Sequence, residues 1–180
     1  MTKALIKTWL KDVYFPSVDK ESHLVVDALT QYCDHNNVNE AVPEGATFEL
    51  KKIPAGATGK VQPLDVGFFR SWKQFVRRIS DRALMEGKIN LFQRDNIIKL
   101  QSLVHFQFSA PQYSNMIRYA WYKSGLVQTR PPQFETPLQF CFSLDIEHCK
   151  NCTRFRFVKC SWCHDFLCFD HFFNEYHICQ

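Results

Sequence analysis

Residues 53–73 read IPAGATGKVQPLDVGFFRSWK, and the interpretation of the whole chain starts from this stretch. It begins where residues 47–53 alternate between apolar and polar side chains, a pattern typical of a half-buried strand. Glycines and prolines then favour an irregular connection, and from Val66 onward the apolar residues recur with helical spacing. Asp65 stands at the expected N-cap position, so the stretch predicts a strand, a loop and a capped helix.

The composition of the chain predicts a folded protein. Its 180 residues are 46% hydrophobic and 22% charged, which excludes disordered and low-complexity classes. Lys3, Lys7 and Lys11 interrupt the first apolar segment, so a secretory signal is not expected. Because the chain contains no run of about 18 apolar residues, we also expect no membrane span.

Charge is distributed unevenly along the chain. The net charge of +4 divides into −2 for residues 1–66, +7 for residues 67–140 and −1 for residues 141–180. In the middle segment, basic side chains recur along the helix that follows Asp65, and most of them share one helical stripe. The members are Arg70, Lys73, Arg77, Arg78 and Arg82. This stripe predicts a contact with a polyanion, although a solvated helix face would have the same pattern.

The remaining periodicity predicts an α/β chain in three parts. An amphipathic helix over residues 5–13 precedes an apolar strand over residues 23–29, near whose end stands Asp27. Helices are predicted over residues 93–104 and 113–123, the second closing at Gly125. We therefore predict a domain over residues 1–128, a proline-rich linker over residues 129–140 and a cysteine-rich domain over residues 141–180.

The sequence around Asp65 closely resembles the third catalytic block of the DDE superfamily endonucleases, in the pogo/Tigger/jerky branch of transposases. The matching residues are Pro54, Thr58, Gln62, Pro63, Leu64 and Asp65. Upstream, the apolar strand that ends in Asp27 looks like the second block of that family. The resemblance covers roughly residues 5–127 and implies a partial ribonuclease-H-like core of short parallel strands and helices.

The resemblance also implies a chemistry and a location. Asp27 and Asp65 would be catalytic carboxylates that bind Mg²⁺, the partner would be DNA, and the protein would act in the nucleus. In the resembling family the first catalytic Asp lies on a strand before the first helix. This chain starts with that helix, and neither Asp12 nor Asp19 is placed to substitute. We therefore expect the first carboxylate to be missing and catalysis by this chain alone to be absent.

The same comparison predicts an open edge on the sheet. The family's missing strands would lie beside the strand of Asp27, which would leave an apolar edge. We expect a partner chain or an N-terminal segment to cover it.

Seven of the 8 cysteines fall between Cys141 and Cys179, and the sequence gives no evidence of an oxidising compartment. Eight candidate ligands form four pairs, which predicts two structural zinc ions. They are Cys149, Cys152, Cys160, Cys163, Cys168, His171, His177 and Cys179. The pairs could bind the ions in sequence or interleaved. The short gap between the two CxxC pairs favours interleaving, with Cys149, Cys152, Cys168 and His171 on one ion. His148 and His164 are alternative ligands.

This segment is similar to the cysteine-rich C-terminal domain of piggyBac-type transposases, in its two CxxC pairs and in residues 166–177. That resemblance implies a zinc cross-brace that contacts DNA. Arg154 and Arg156 alternate with Phe155 and Phe157, and we expect the arginines to face phosphate while the rings pack inward.

Three functions remain open on the sequence. The first is a transposase-derived DNA-binding protein without catalytic activity. The second is a fragment of an active metal-dependent endonuclease or transposase. The third is a zinc cross-brace that binds proteins, including a ubiquitin-ligase-like module. The +7 middle segment favours the first over the third.

Overall fold

The computed structural model describes residues 3–27, 38–144 and 146–179. The chain forms two compact units that divide after Asp65. Each unit has its own apolar core among the described residues. The predicted boundaries at residues 128 and 141 follow sequence modules and stay a prediction.

The first unit begins with helix α1, Lys3–Trp9, which continues as a π-helical turn, Leu10–Tyr14, and a 3₁₀ turn, Phe15–Ser17. The amphipathic spacing of the sequence predicts this element because Ile6 and Leu10 point into the core of the unit. They are buried there with Val38 and Ala41.

The two strands of the first unit are β1, Glu21–Val26, and β2, Thr47–Lys52. They pair in parallel, with Leu24 opposite Leu50. The N–H of Ile53 donates to the carbonyl of Val26 over 2.8 Å, so both strands leave the sheet at the same edge. The strand predicted over residues 23–29 ends at Val26, and its residues 28 and 29 lie outside the described ranges.

The described part of the first unit is thus a mixed helix and strand structure with a short parallel sheet. A ribonuclease-H-like core has more strands than these two, and that assignment stays a prediction. On the described residues, the edge of β1 away from β2 has no partner strand.

The connection after β2 differs from its prediction in two ways. The expected loop contains a short helix, α2, Thr58–Val61. The helix predicted to start after Asp65 begins earlier, with a π-helical turn, Leu64–Phe68, that runs directly into α3, Phe69–Glu86. Asp65 lies inside that turn, so the prediction that it caps the helix is wrong. Gly87 ends α3 with a φ of 66°.

The second unit continues with two helices that the periodicity predicts, α4, Arg94–Phe108, and α5, Ser114–Lys123. A 3₁₀ turn, Pro111–Tyr113, joins them, and Gly125 follows α5 with a φ of 78°, as expected for a residue just beyond a helix. Within the predicted linker, Thr136 and Gln139 form a capping box that starts a further helix, α6, Pro137–Cys141.

The cysteine-rich segment is built on a very short antiparallel pair, β3, Val158–Lys159, and β4, Phe166–Leu167. A π-helical turn, Asp170–Asn174, follows. Leu167 of β4 and Phe172 of this turn are buried, and they belong to the same apolar cluster as Phe75 of α3 and Leu103 of α4. The segment therefore shares one core with the helices.

None of the helices in the described ranges combines the length with the apolar character that crossing a membrane requires.

The chain segments around Gly67 and Ala120 approach each other very closely. A Cβ atom added to Gly67 would lie 2.7 Å from the Cβ of Ala120 and 2.9 Å from its Cα. Ordinary carbon contacts are about 3.5–4.0 Å. Glycine at position 67 therefore allows α5 to pack against the turn that starts α3.

We predict that Gly67→Ala lowers the free energy of unfolding by about 1–3 kcal/mol, because the added methyl overlaps the backbone of Ala120. Urea unfolding of the full chain measures this change. Gly59→Ala is the matched control: its Cβ meets nothing within 4 Å and it lies in α2, so its effect should stay within about 1 kcal/mol. Equal stability of the two variants would contradict the close approach.

Candidate metal centres and nucleic-acid interface

The structure brings the eight predicted ligands together as two separate sets of four. We call Cys149, Cys152, Cys168 and His171 the first set, and Cys160, Cys163, His177 and Cys179 the second set. Within each set the ligand atoms all lie within 4.8 Å of one another. The arrangement is interleaved, because the knuckle at residues 160–163 stands in sequence between the two pairs of the first set. Within the described residues, no further group of three or more histidine, cysteine, aspartate or glutamate side chains is placed to hold a metal ion.

The geometry of the first set fits a tetrahedral metal ion. Zinc–sulfur bonds of about 2.3 Å in a tetrahedron place two sulfurs about 3.8 Å apart and a sulfur and an imidazole nitrogen about 3.6 Å apart. The Sγ atoms of Cys152 and Cys168 are 3.8 Å apart. Nδ1 of His171 lies 3.6 Å from Sγ of Cys152 and 3.1 Å from Sγ of Cys168. Nε2 of the same ring is 3.4 Å from a carboxylate oxygen of Glu175, which can orient the imidazole.

The second set fits the same geometry. The Sγ atoms of Cys160 and Cys179 are 3.5 Å apart, and Nε2 of His177 lies 3.5 Å from Sγ of Cys163. Three thiolates and one imidazole are a common donor set for structural zinc. Cys160, Cys163, His177 and Cys179 would therefore hold the second ion, which would supply cross-linking rather than chemistry.

The β3–β4 hairpin positions both sets. The N–H of Cys160 donates to the carbonyl of Asp165 over 2.9 Å, which closes the knuckle beside the hairpin. His164 adopts a left-handed conformation with a φ of 62° to complete that turn. On the other side, β4 leads directly into Cys168, and the N–H of Phe172 donates to the carbonyl of Cys168 over 3.0 Å.

In each set, hydrogen bonds lower the pKa of one cysteine. Burial opposes ionisation of Cys149, yet backbone hydrogen bonds from Cys168 and Asn151 outweigh it and lower its pKa to about 6. Burial opposes ionisation of Cys160 too, but hydrogen bonds, foremost from His177, lower its pKa to about 6. Burial, with like-charge repulsion from Cys160, raises the pKa of Cys163. A divalent cation would offset that repulsion.

His148 and His164, the alternative ligands, lie outside both sets. The ring of His148 stacks on Phe155 with centroids 4.9 Å apart, and that of His164 contacts Phe140 edge-on at 5.2 Å. Each of these two histidines packs its ring against an aromatic neighbour instead of joining a ligand set.

Sequence reasoning did not identify a buried polar network behind the second set. Gln107, Tyr113, Cys141 and Ser161 are each at most 3% exposed. The hydroxyls of Tyr113 and Ser161 are 2.9 Å apart, and Sγ of Cys141 is 3.1 Å from the same serine hydroxyl. Burial raises the pKa of Cys141 to about 12, so it stays a neutral thiol. One member of this network could have been found from the sequence. Gln107 has helical spacing from Leu100, Leu103 and Val104, which places a polar residue on the apolar face of α4.

The basic side chains of α3 divide into two groups. Arg70, Lys73 and Arg77 lie on the face opposite the buried Phe75 and Ile79. We call these three cations the basic face, and they form no ion pair within the described residues. The two others lie off this face: Arg82 pairs with Glu86 over 2.7 Å, and Arg78 lies 5.5 Å from the ring centroid of Phe142.

The alternating arginines and phenylalanines at residues 154–157 are placed differently from what the sequence predicts. Phe157 packs against the core, but Phe155 is 69% exposed, so the prediction that both rings pack inward is wrong for Phe155. Arg154 is exposed and pairs with Asp170. Arg156 is partly buried, donates to the carbonyl of Ser143 and lies 5.0 Å from the ring centroid of Phe166.

Asp27 and Asp65 stand on chain segments that leave the carboxyl edge of the sheet. Asp27 directly follows β1 and is half-buried, whereas Asp65 is exposed in its π-helical turn. Oε1 of Gln62, in the same motif as Asp65, is buried without a hydrogen-bond partner in the described residues. These oxygens are of the type that Mg²⁺ prefers. They do not belong to a cluster of three or more ligand groups in the described ranges, so they do not fit a complete two-metal site.

Comparison with known families agrees with the geometry. A model of the DDE superfamily endonuclease matches residues 1–125, and a model of the Tc5 transposase C-terminal domain matches residues 121–179. No match is found among the curated proteins or the solved structures. The predicted relationship to the DDE superfamily endonucleases is thereby confirmed, whereas the pogo/Tigger/jerky branch and the piggyBac-type zinc domain are not. The DDE superfamily endonuclease model matches more than two thirds of the length of this chain, so the chain belongs to the DDE superfamily endonuclease family.

Proposed function

We propose that this chain is a transposase-derived protein that binds DNA, contains two structural zinc ions and does not cleave DNA by itself. The observation that carries the DNA-binding proposal is the basic face of α3. Arg70, Lys73 and Arg77 are exposed on one side of a helix whose other side is buried. Three cations that form no ion pair within the described residues can neutralise several phosphates without first losing a partner there.

The other predicted cations belong to the proposed interface as secondary contacts. Arg78, Arg82 and Arg154 already have partners in Phe142, Glu86 and Asp170. Arg156 binds the backbone of Ser143. Each would have to share or give up its partner to bind a phosphate, so its net contribution is smaller.

Zinc is the ion we propose for both sets. Each set offers three sulfurs and one imidazole nitrogen at tetrahedral separations, which suits zinc better than the oxygen-preferring Mg²⁺ or Ca²⁺. The interleaved order supports a cross-brace like that of the piggyBac-type domain, and the motif around Asp65 supports a place in the pogo/Tigger/jerky branch. We expect the protein to act in the nucleus, where its DNA would be.

The active-enzyme alternative rests on Asp27 and Asp65. Both stand where the family motif has carboxylates, and Mg²⁺ can bind such a pair weakly. In-line displacement of a phosphodiester needs further ligands to fix two ions in place. A partner chain or another segment that covers the edge of β1 could supply them, which would make catalysis depend on assembly.

We predict two zinc ions per purified chain under reducing conditions, measured by elemental analysis. Cys168→Ser and Cys179→Ser should each reduce the content to about one, since each removes a ligand from a different set. Cys141→Ala is the matched control and should keep both ions, because this buried cysteine belongs to neither set. A content near zero in the unsubstituted chain would refute the zinc proposal.

We predict that the combined change Arg70→Ala, Lys73→Ala and Arg77→Ala weakens binding to a labelled DNA duplex. The slope of log K against log salt should become less steep by about 0.9 for each phosphate that the protein no longer neutralises, up to a total of about 3. Fluorescence anisotropy over about 50–200 mM salt measures it. Lys150→Ala, which removes a cation paired with Asp165 at 2.7 Å, should change the slope little. Absence of binding at low salt by a folded, zinc-loaded chain would refute the DNA-binding proposal.

We predict that Mg²⁺ or Mn²⁺ does not induce the purified chain to nick a supercoiled plasmid, because two carboxylates do not complete a two-metal site. The decisive comparison uses Asp65→Ala and, as a control outside the motif, the exposed Asp12→Ala. Nicking that persists in the Asp12 variant and disappears in the Asp65 variant would establish the enzyme instead.

A further inference from the structure

Gln107 has an unusual environment for an amide side chain. It is fully buried in α4, on the face that also carries Leu103 and Val104. Burying an amide is costly unless both its oxygen and its nitrogen find partners. Both partners of Gln107 lie in the knuckle of the second set, at Cys160 and Ser161.

The orientation of the amide follows from its partners. The backbone N–H of Ser161 can only donate, and it lies 2.7 Å from Oε1 of Gln107. The amide nitrogen must therefore face the other way, where Nε2 donates to Sγ of Cys160 over 3.6 Å. A thiolate accepts this bond better than a thiol, so the contact suits a metal-bound cysteine.

Other bonds hold the same knuckle against the end of α4. The side chain of Gln112 donates to the carbonyl of Ser161 over 3.2 Å, and the indole of Trp162 donates to the carbonyl of Phe106 over 2.6 Å. The rings of Trp162 and Phe106 also stack with centroids 5.4 Å apart. The two middle residues of the knuckle are thus fixed to residues 106–112, and Gln107 is the contact among them that reaches a metal-ligand sulfur.

We propose that Gln107 is a positioning residue for the metal ion of the second set, where it orients the Cys160 thiolate and couples metal occupancy to the end of α4. This inference rests on the proposed zinc binding and adds a residue from outside the cysteine-rich segment. Groups that hydrogen-bond to metal ligands typically contribute about 10- to 100-fold to metal affinity.

The test separates the sulfur contact from the docking of the knuckle. Gln107→Glu keeps the oxygen that accepts from Ser161 but replaces the donor to Cys160 with a negatively charged oxygen. Gln112→Glu makes the same change of side chain at a residue outside the knuckle that bonds to the carbonyl of Ser161 and not to a sulfur. Zinc affinity of the full chain is measured by competition with a chromophoric chelator, and Co²⁺ substitution reports thiolate coordination through its charge-transfer bands.

We expect Gln107→Glu to weaken one of the two zinc-binding steps about 10- to 100-fold and to shift the Co²⁺ bands of one site. Gln112→Glu should leave both steps within about threefold of the unsubstituted chain and keep its Co²⁺ spectrum. Equal affinities in all three proteins, or an equal loss in the two variants, would overturn the inference while the zinc proposal stands. Failure of the unsubstituted chain to bind zinc at the second set would overturn both.

A second variant covers the case in which Gln107→Glu does not fold, as judged by its helical circular dichroism. Gln107→Leu fills a similar volume without either hydrogen bond and keeps the helix propensity of α4. Weakening of one zinc step in this variant, but not in Gln112→Glu, supports the positioning role. An unchanged affinity in a helical Gln107→Leu chain overturns it.

Discussion

The interleaving of the two cysteine and histidine sets is the constraint on which the second unit depends. The knuckle at residues 160–163 lies in sequence between Cys152 and Cys168, two ligands of the first set. The first set can therefore close only if the chain folds back through β3 and β4, and this same hairpin presents the knuckle to the second set. Because Leu167 and Phe172 are also core residues of the helical layer, the ligand order and the apolar core specify one arrangement together.

This arrangement shows how the cysteine-rich segment can support the basic face of α3, which lies outside that segment. The knuckle is fixed to the end of α4 through Gln107 and Trp162. Helix α4 in turn contacts α3 through Phe108 and Phe75, whose ring centroids are 5.5 Å apart. The outer side of α3 carries Arg70, Lys73 and Arg77. Rigid support reduces the conformational entropy that these side chains and their helix would lose on binding.

Local sequence patterns predicted the elements and the ligand sets better than the contacts between elements. The spacing of the cysteines and histidines predicted all eight members of the two sets, because knuckle geometry depends on neighbours in the chain. Helical periodicity likewise located α3, α4 and α5. The position of Asp65 was predicted wrongly as a cap, since periodicity does not reveal the π-helical turn that precedes α3. Gln107 shows the same difficulty, because its spacing marks a buried polar residue without naming the cysteine it contacts.

The sequence separations of these contacts have a consequence for the order of folding during synthesis. Cys149 and His171 are 22 residues apart, and Cys163 and His177 only 14, whereas Gln107 and Ser161 are separated by 54. Short loops close at a lower entropic cost, which favours formation of the two sets before the cysteine-rich segment docks on α4. Phe75 of α3 and Leu103 of α4 precede in the chain Leu167 and Phe172, with which they share one apolar cluster, so they are synthesised before these residues can cover them. Apolar surface that is exposed in this way during synthesis favours aggregation.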